Sequence, residues 1–298
     1  MSRKAFLLCL SMGYLTLAAA QNLPQSNIYL FDVKRVTDTS YAFTQPRYLT
    51  FFNPNGYNNQ PTFISNNELY ISSQSPIDKQ PDLYALDLDK RTKTRVTNTP
   101  DGEFSPARTP SYYEFSAVRQ EVHGRDTILR LWQFPVDRLT NGKPVFKYLT
   151  GIGYYSWLSA YQVAVFIVDN PSYLALADTR TDQVTPIANN PGRCFQKLPN
   201  GNLAFVQKNP GNNWVLMEKN LYRPDAAPTR IIETLPGAED FIVLSDGTFL
   251  MGKGSKVFKF NRFTDQFWIE VADLRYYQIR NITRMALSQD MKIAVVAE

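Results

Sequence analysis

Apolar and polar positions alternate along this chain in short runs, and the runs themselves recur. The recurring unit is an apolar strand, a short polar turn, a strongly apolar strand, a loop, an alternating strand and a β-branched strand, with a period of about 45 residues. Turns between the first two strands are predicted at Ser65-Asn66-Asn67, Pro110-Ser111, Ser159-Ala160, Pro199-Asn200-Gly201, Ser245-Asp246-Gly247 and Ser288-Gln289-Asp290. Asn-Gly and Asp-Gly are strong hairpin signals, and at 200–201 and 246–247 they predict turns with both central residues at positive φ. After the turns come ELYISSQ from Glu68, EFSAVRQ from Glu114, QVAVFIV from Gln162, NLAFVQK from Asn202, TFLMGKG from Thr248 and KIAVVAE from Lys292. Their richness in Val, Ile, Phe and Ala predicts strands buried on both faces between stacked sheets. The third strands alternate: DLYALDL from Asp82, ILRLWQF from Ile128, YLALADT from Tyr173, WVLMEKN from Trp214 and KVFKFNR from Lys256. No stretch keeps a 3.6-residue apolar period, so helices are confined to short insertions.

The sixth unit ends after its second strand, and its missing half lies at the other end of the chain. NIYLFDV from Asn27 has the third-strand pattern, and RYLTFF from Arg47 matches the fourth-strand pattern of TRVTNT from Thr94. The reading is an all-β, six-bladed β-propeller with four antiparallel strands per blade, its ring closed by N- and C-terminal strands in one shared blade. Closure of this kind removes the open edges of an antiparallel array. A sandwich would not yield six aligned units, and a β-helix needs shorter coils.

Residues 1–20 carry the features of a secretory signal peptide: Arg3 and Lys4, an apolar stretch from Ala5 to Leu17, and Ala18-Ala19-Ala20 as a small-residue cleavage site. The propeller domain is then expected over 21–298, beginning at Gln21, with no transmembrane segment in the mature chain. Cys9 follows Leu7-Leu8, where a lipidation site wants small residues, and falls within the signal. Cys194 is left alone, which predicts a buried thiol and no intrachain disulfide.

Composition removes several classes of chemistry. The one histidine, His123, and two cysteines cannot build zinc sites, haem ligation or histidine triads. Lys plus Arg number 32 against 27 Asp plus Glu, but the excess is scattered, and no basic run marks a nucleic-acid partner.

The unit Gln60-Pro61-Thr62-Phe63-Ile64-Ser65-Asn66-Asn67-Glu68-Leu69-Tyr70-Ile71-Ser72-Ser73, continued by Asp82-Leu83-Tyr84-Ala85-Leu86-Asp87 and Arg95-Val96-Thr97, resembles the WD-type repeat of TolB-like β-propellers. The Ser-Pro-Asp-Gly turn of those repeats is approached by Ser245-Asp246-Gly247 and Pro199-Asn200-Gly201 and is degenerate elsewhere. The resemblance spans nearly the whole expected mature chain. It implies a periplasmic or secreted propeller that binds proteins or peptides of the cell envelope. TolB opens with a separate α/β domain, and this sequence passes from signal to propeller, an expected departure from TolB's own role.

Segments leading into the innermost strands converge on one face of a propeller, at the mouth of its channel. Here they run over 56–60, 101–108, 153–157, 192–195, 238–241 and 281–284. The candidate partner-binding residues are Asn59, Glu103, Tyr155, Arg193, Glu239, Asp240 and Arg284. Arginines at such a mouth can fork a carboxylate, and Glu239 and Asp240 can meet a cation. The expected function is a non-catalytic binding module with no catalytic residues and no cofactor. The alternative is a divalent-cation-dependent, lactonase-like hydrolase, in which Asn59, Glu103 and Asp240 supply the donor set that gluconolactonase-like propellers use for Ca2+. A propeller-linked serine hydrolase lacks its nucleophile elbow and histidine, and a glycosidase pair has no spacing to identify it.

Overall fold

The structure is a computed structural model that describes residues 23–124 and 126–298; the expected signal at 1–20 and the start of the mature chain at Gln21 lie outside the described residues. The described chain folds into six four-stranded antiparallel sheets. Five are built in sequence order, blade 1 over 57–95, blade 2 over 102–144, blade 3 over 152–189, blade 4 over 191–233 and blade 5 over 241–273. Blade 6 joins Ile282–Leu287 and Lys292–Ala297 to Asn27–Thr37 and Ser40–Tyr48. The two ends of the described chain meet as an antiparallel pair running from Asn27 opposite Ala297 to Asp32 opposite Lys292.

The apolar strands behave as their composition demands. On Lys292–Ala297, Ile293 and Val295 pack toward blade 5 with Ile242, Leu250 and Val257. The alternate residues Ala294 and Val296 pack toward blade 1 with Leu69 and Ile71. Both faces are dry, because a strand's side chains point alternately to its two faces and each face meets a neighbouring sheet. The next interface repeats the arrangement one residue out of phase, with Tyr70 against Phe115 and Phe134 of blade 2. The core is thus distributed as a ring of six interblade clusters. Among the described residues the only helical pieces are 3-10 turns at Pro210–Asn212 and Arg275–Tyr277.

Two local expectations are corrected. The outermost strand of blade 6 is Ser40–Tyr48, not the segment from Arg47. The turn at Asp38-Thr39 makes a tight hairpin without glycine, held by Arg35 on Asp38 at 2.7 Å and by Thr37 Oγ1, which accepts from Thr39 N at 3.2 Å. The turns at 199–201 and 245–247 place only the glycine at positive φ, 85° and 83°. Gly201 N donates to Leu198 O and Leu198 N to Asn202 O, which is a three-residue loop ending in a glycine bulge rather than a two-residue turn. Met291, at φ 65°, fills the corresponding place in blade 6.

Candidate functional site

The innermost strands are Tyr57–Ser65, Gly102–Arg108, Ile152–Trp157, Pro191–Lys197, Phe241–Val243 and Ile282–Leu287. Five of them break register with their neighbour close to the end at which they begin: between Asn59 and Thr62, Phe104 and Ala107, Ile152 and Tyr154, Pro191 and Phe195, and Ile282 and Arg284. A bulge adds a residue on one strand and re-aims the side chains beside it, and here the bulged segments line the channel. Gln60 and Ser105 take φ of 55° and 52° directly before Pro61 and Pro106, a conformation that side chain and proline both disfavour. Their contacts hold them there: Ser105 N donates to Gln60 Oε1 at 2.8 Å, and Tyr155 Oη donates to Ser105 O at 2.9 Å.

Two cavities adjoin at this end of the channel, one at the inner strands where several blades meet and one displaced outward from it toward blades 5 and 6. An outer one of about 140 Å³ is lined by Glu239, Lys253, Asn281 and Thr283 among others. An inner one of about 170 Å³ is lined by Gln60, Ser105, Tyr154, Tyr155 and Gln196 among others. Arg193, Asp240, Arg284 and Met285 line both. Arg193, Glu239, Asp240 and Arg284 therefore come together as the sequence pattern anticipates, and Tyr155 lines the inner cavity.

Electrostatics divide the two acids. Lys208 Nζ lies 2.6 Å from Glu239 Oε2, which also accepts from Arg193 N at 3.0 Å. Burial alone would raise the Glu239 carboxyl; the bond from Lys208 and the charge of Arg193 outweigh it and hold the group below the usual glutamate value. Asp240 accepts from Met285 N at 3.0 Å and stands 3.8 Å from Arg284 Nη1. Burial pushes its carboxyl above the usual aspartate value despite the pull of Arg284 and Arg193. Arg284 lies over the Tyr154 ring at 5.2 Å, and its Nη2 donates to Tyr154 Oη at 3.3 Å. Cys194 is buried, with its Sγ on Phe241 O at 3.2 Å, and burial pushes its thiol up.

Asn59 and Glu103 line neither cavity. Asn59 folds its Oδ1 back onto Gln60 N at 2.8 Å. Glu103 is sealed between blades 1 and 2, where Thr99 Oγ1 donates to it at 2.6 Å and Arg119 Nε at 3.0 Å. Asn59, Glu103 and Asp240 are thus not gathered around one point, and among the described residues no three His, Cys, Asp or Glu side chains cluster as metal ligands.

Lys208, Thr283 and Ser105 escaped the sequence reading. Lys208 comes from the loop after the second strand of blade 4, a place with no recurring pattern. Ser105 carried a usable signal, since Gln60-Pro61 and Ser105-Pro106 occupy equivalent places in adjacent blades.

No protein-family model matches the sequence, and no curated protein matches it. Solved structures match the fold. A TolB of Agrobacterium tumefaciens superposes with a TM-score of 0.64 at 11% identity, covering 92% of this chain and 98% of that one. TolB from Acinetobacter baumannii gives 0.54 at 12% identity over 91% of this chain, which spans only 64% of that protein. Oligogalacturonate lyase from Vibrio parahaemolyticus gives 0.54 at 11% identity, covering 92% and 97%. The fold is that of the TolB-type propeller, and at these identities the likeness concerns fold alone.

Proposed function

We propose that the protein is a non-catalytic binding module that receives a protein or peptide segment of the cell envelope at the mouth of its channel, in the periplasm or outside the cell. The observation that carries this reading is the convergence of Arg193, Glu239, Asp240 and Arg284 around the two cavities, each already engaged by a neighbour. Side chains held this way lose little freedom when a partner docks, so more of the contact energy appears as affinity. The TolB neighbours support a propeller of the envelope, and the leader-like residues 1–20 support export. Among the described residues no helix is long and apolar enough to cross a membrane.

The lyase neighbour is an enzyme on the same fold, which keeps a hydrolase in view as the alternative. A divalent cation is disfavoured at Asp240 by the guanidiniums of Arg193 and Arg284, whose charges repel it. Capture from an envelope extract tests the binding reading. Wild type and a control altered on the opposite face, Tyr222→Ala with Phe263→Ala, are expected to retain one common species that Arg193→Ala with Glu239→Ala loses while keeping its fold. Equal capture by all three proteins overturns the assignment to the mouth.

A further inference from the structure

The charged groups at the junction of the two cavities do not balance. Arg193, Lys253 and Arg284 line the cavities, and Lys208 stands beside them on Glu239; among the described residues that line the cavities, Glu239 and Asp240 alone oppose these four cations. Glu239 is shared between Lys208 and the backbone and guanidinium of Arg193, and Asp240 is left to Arg284 at 3.8 Å, so neither arginine has a carboxylate in close contact. Lys253 is exposed and Arg193 and Lys208 keep part of their hydration, but Arg284 is largely buried, and a charge withdrawn from water is stable when paired and hydrogen-bonded.

The hydrogen bonds are incomplete in the same place. Arg193 spends its Nη2 on Thr283 O at 3.0 Å, and Arg284 spends its Nη2 on Tyr154 Oη. The Nε of each arginine is buried and has no hydrogen-bond partner among the described residues, although Arg193 Nε lies within ion-pair range of Glu239 Oε1 at 3.5 Å. The hydroxyls of Thr283, on the outer cavity, and Ser105, on the inner one, are likewise buried and unpartnered. Buried polar groups are nearly always satisfied, so three unpartnered groups, Arg284 Nε and the two hydroxyls, beside an Arg193 Nε held only by that long ion pair, point to a ligand that accepts.

We infer that this junction is a carboxylate-binding site, in which Arg193 and Arg284 hold one carboxylate of the bound segment and Thr283 donates to it. The inference rests on the binding reading above and specifies what that site recognises. A carboxylate supplies one negative charge and lone pairs for several donors, and arginine's planar fork suits it better than any other side chain. The outer cavity admits a single side chain or a chain end, not a folded element. An acidic side chain within a peptide and a free C-terminus present the same group, and the probes must separate them.

Three peptides serve as probes in calorimetric titration of the purified protein: acetyl-Gly-Ala-Glu-Ala-Gly-amide, its Gln counterpart, and acetyl-Gly-Ala-Gln-Ala-Gly with a free C-terminus. At least one carboxylate probe is expected to bind about tenfold more tightly than the neutral peptide, the scale of a charge-assisted hydrogen bond. The tighter of the two identifies the source of the carboxylate. Arg284→Gln is expected to abolish this preference. Thr283→Val, which removes a hydroxyl that bonds nothing in the protein, should weaken carboxylate binding and leave the melting temperature unchanged. Equal binding of all three peptides, or no binding of either acidic probe up to millimolar concentration, overturns the inference. If partner capture by wild type persists in that case, the binding-module reading survives its loss. If the acidic preference is found but capture ignores the mouth substitutions, the module reading fails and the carboxylate site stands.

Discussion

Arg119 Nε donates to Glu103 Oε1 at 3.0 Å with the two side chains 6% and 0% exposed, and the Arg119 guanidinium stacks on the Trp132 ring at 4.0 Å. An acid that the sequence places at a binding mouth is thereby sealed between blades 1 and 2. Burial raises its carboxyl, and the bond from Thr99 and the charge of Arg119 act against that rise.

Removing one member of such a pair strands the other without water. Glu103→Ala is expected to cost about 3–5 kcal/mol in denaturant unfolding, whereas Glu103→Leu with Arg119→Met should recover much of it. Peptide binding at the channel should survive in whatever fraction stays folded. A Glu103→Ala protein of full stability that fails to bind would return Glu103 to the site.

Gly247 and Gly252 separate backbone strain from crowding. A side chain at Gly247 would meet nothing within 4 Å, so Gly247→Ala should cost only about 1–2 kcal/mol, from its φ of 83°. At Gly252 a Cβ would fall 2.4 Å from Ile282 Cγ2 and 2.8 Å from Ile282 Cβ, across the interface between blades 5 and 6. Gly252→Ala should therefore cost about 1–3 kcal/mol through overpacking, at ordinary backbone angles. Chemical denaturation of both variants reads the two costs, and crystallography should find blade 6 displaced only in the second.

The ring depends on its terminal pairing. Leu30 is fully buried in the cluster that joins blades 6 and 1, and Leu30→Ala should cost about 2–5 kcal/mol. Deleting 292–298 strips Ile282–Leu287 and Asn27–Thr37 of their shared partner and should abolish the single cooperative transition rather than shift it. Calorimetry distinguishes the two outcomes.

Asp240 and Asp265 should respond to pH in opposite senses. Asp240 faces Glu239, Arg193, Arg284 and Cys194, and burial holds its pKa above the unfolded value. The folded protein then keeps a proton that the unfolded chain has released, so its contribution falls as pH rises from the ordinary aspartate range through the folded pKa. Asp265 lies in a buried pair with Lys259, at 2.9 and 3.0 Å. Burial would raise its carboxyl, but the bonds from Lys259 and Asn261 N outweigh that and lower it. Its contribution is present above the ordinary aspartate pKa and is lost as pH falls through the depressed one. Unfolding free energies over an acid-to-neutral series should lose the first dependence in Asp240→Asn and the second in Asp265→Asn. Parallel curves for both variants and wild type would refute both assignments.

The sequence by itself determined the repeat, the all-β class and the closure of the ring, because these rest on local alternation. ELYISSQ reads as a doubly buried strand and is one, Glu68–Gln74, with Tyr70 turned to one neighbour and Leu69 and Ile71 to the other. NIYLFDV likewise reads as the third strand of the shared blade and is one, paired antiparallel with Lys292–Ala297. The outermost strand after it was misplaced, since Asp38-Thr39 turns through side-chain bonds that no turn residue announces.

At the site, the sequence brought Arg193, Glu239, Asp240 and Arg284 to one mouth from their positions before or early in the innermost strands. Only the tertiary structure decided that Glu103 turns into the interface of blades 1 and 2 toward Arg119, that Lys208 reaches Glu239 from another loop, and that Thr283 and Ser105 stand unpartnered at the channel. A bulge of one residue reverses which face a side chain takes, and bulges are fixed by pairing with the neighbouring strand rather than by the residues that form them. Strand identity is a local property and is written in the pattern; side-chain direction at a bulged channel is a property of the assembled ring.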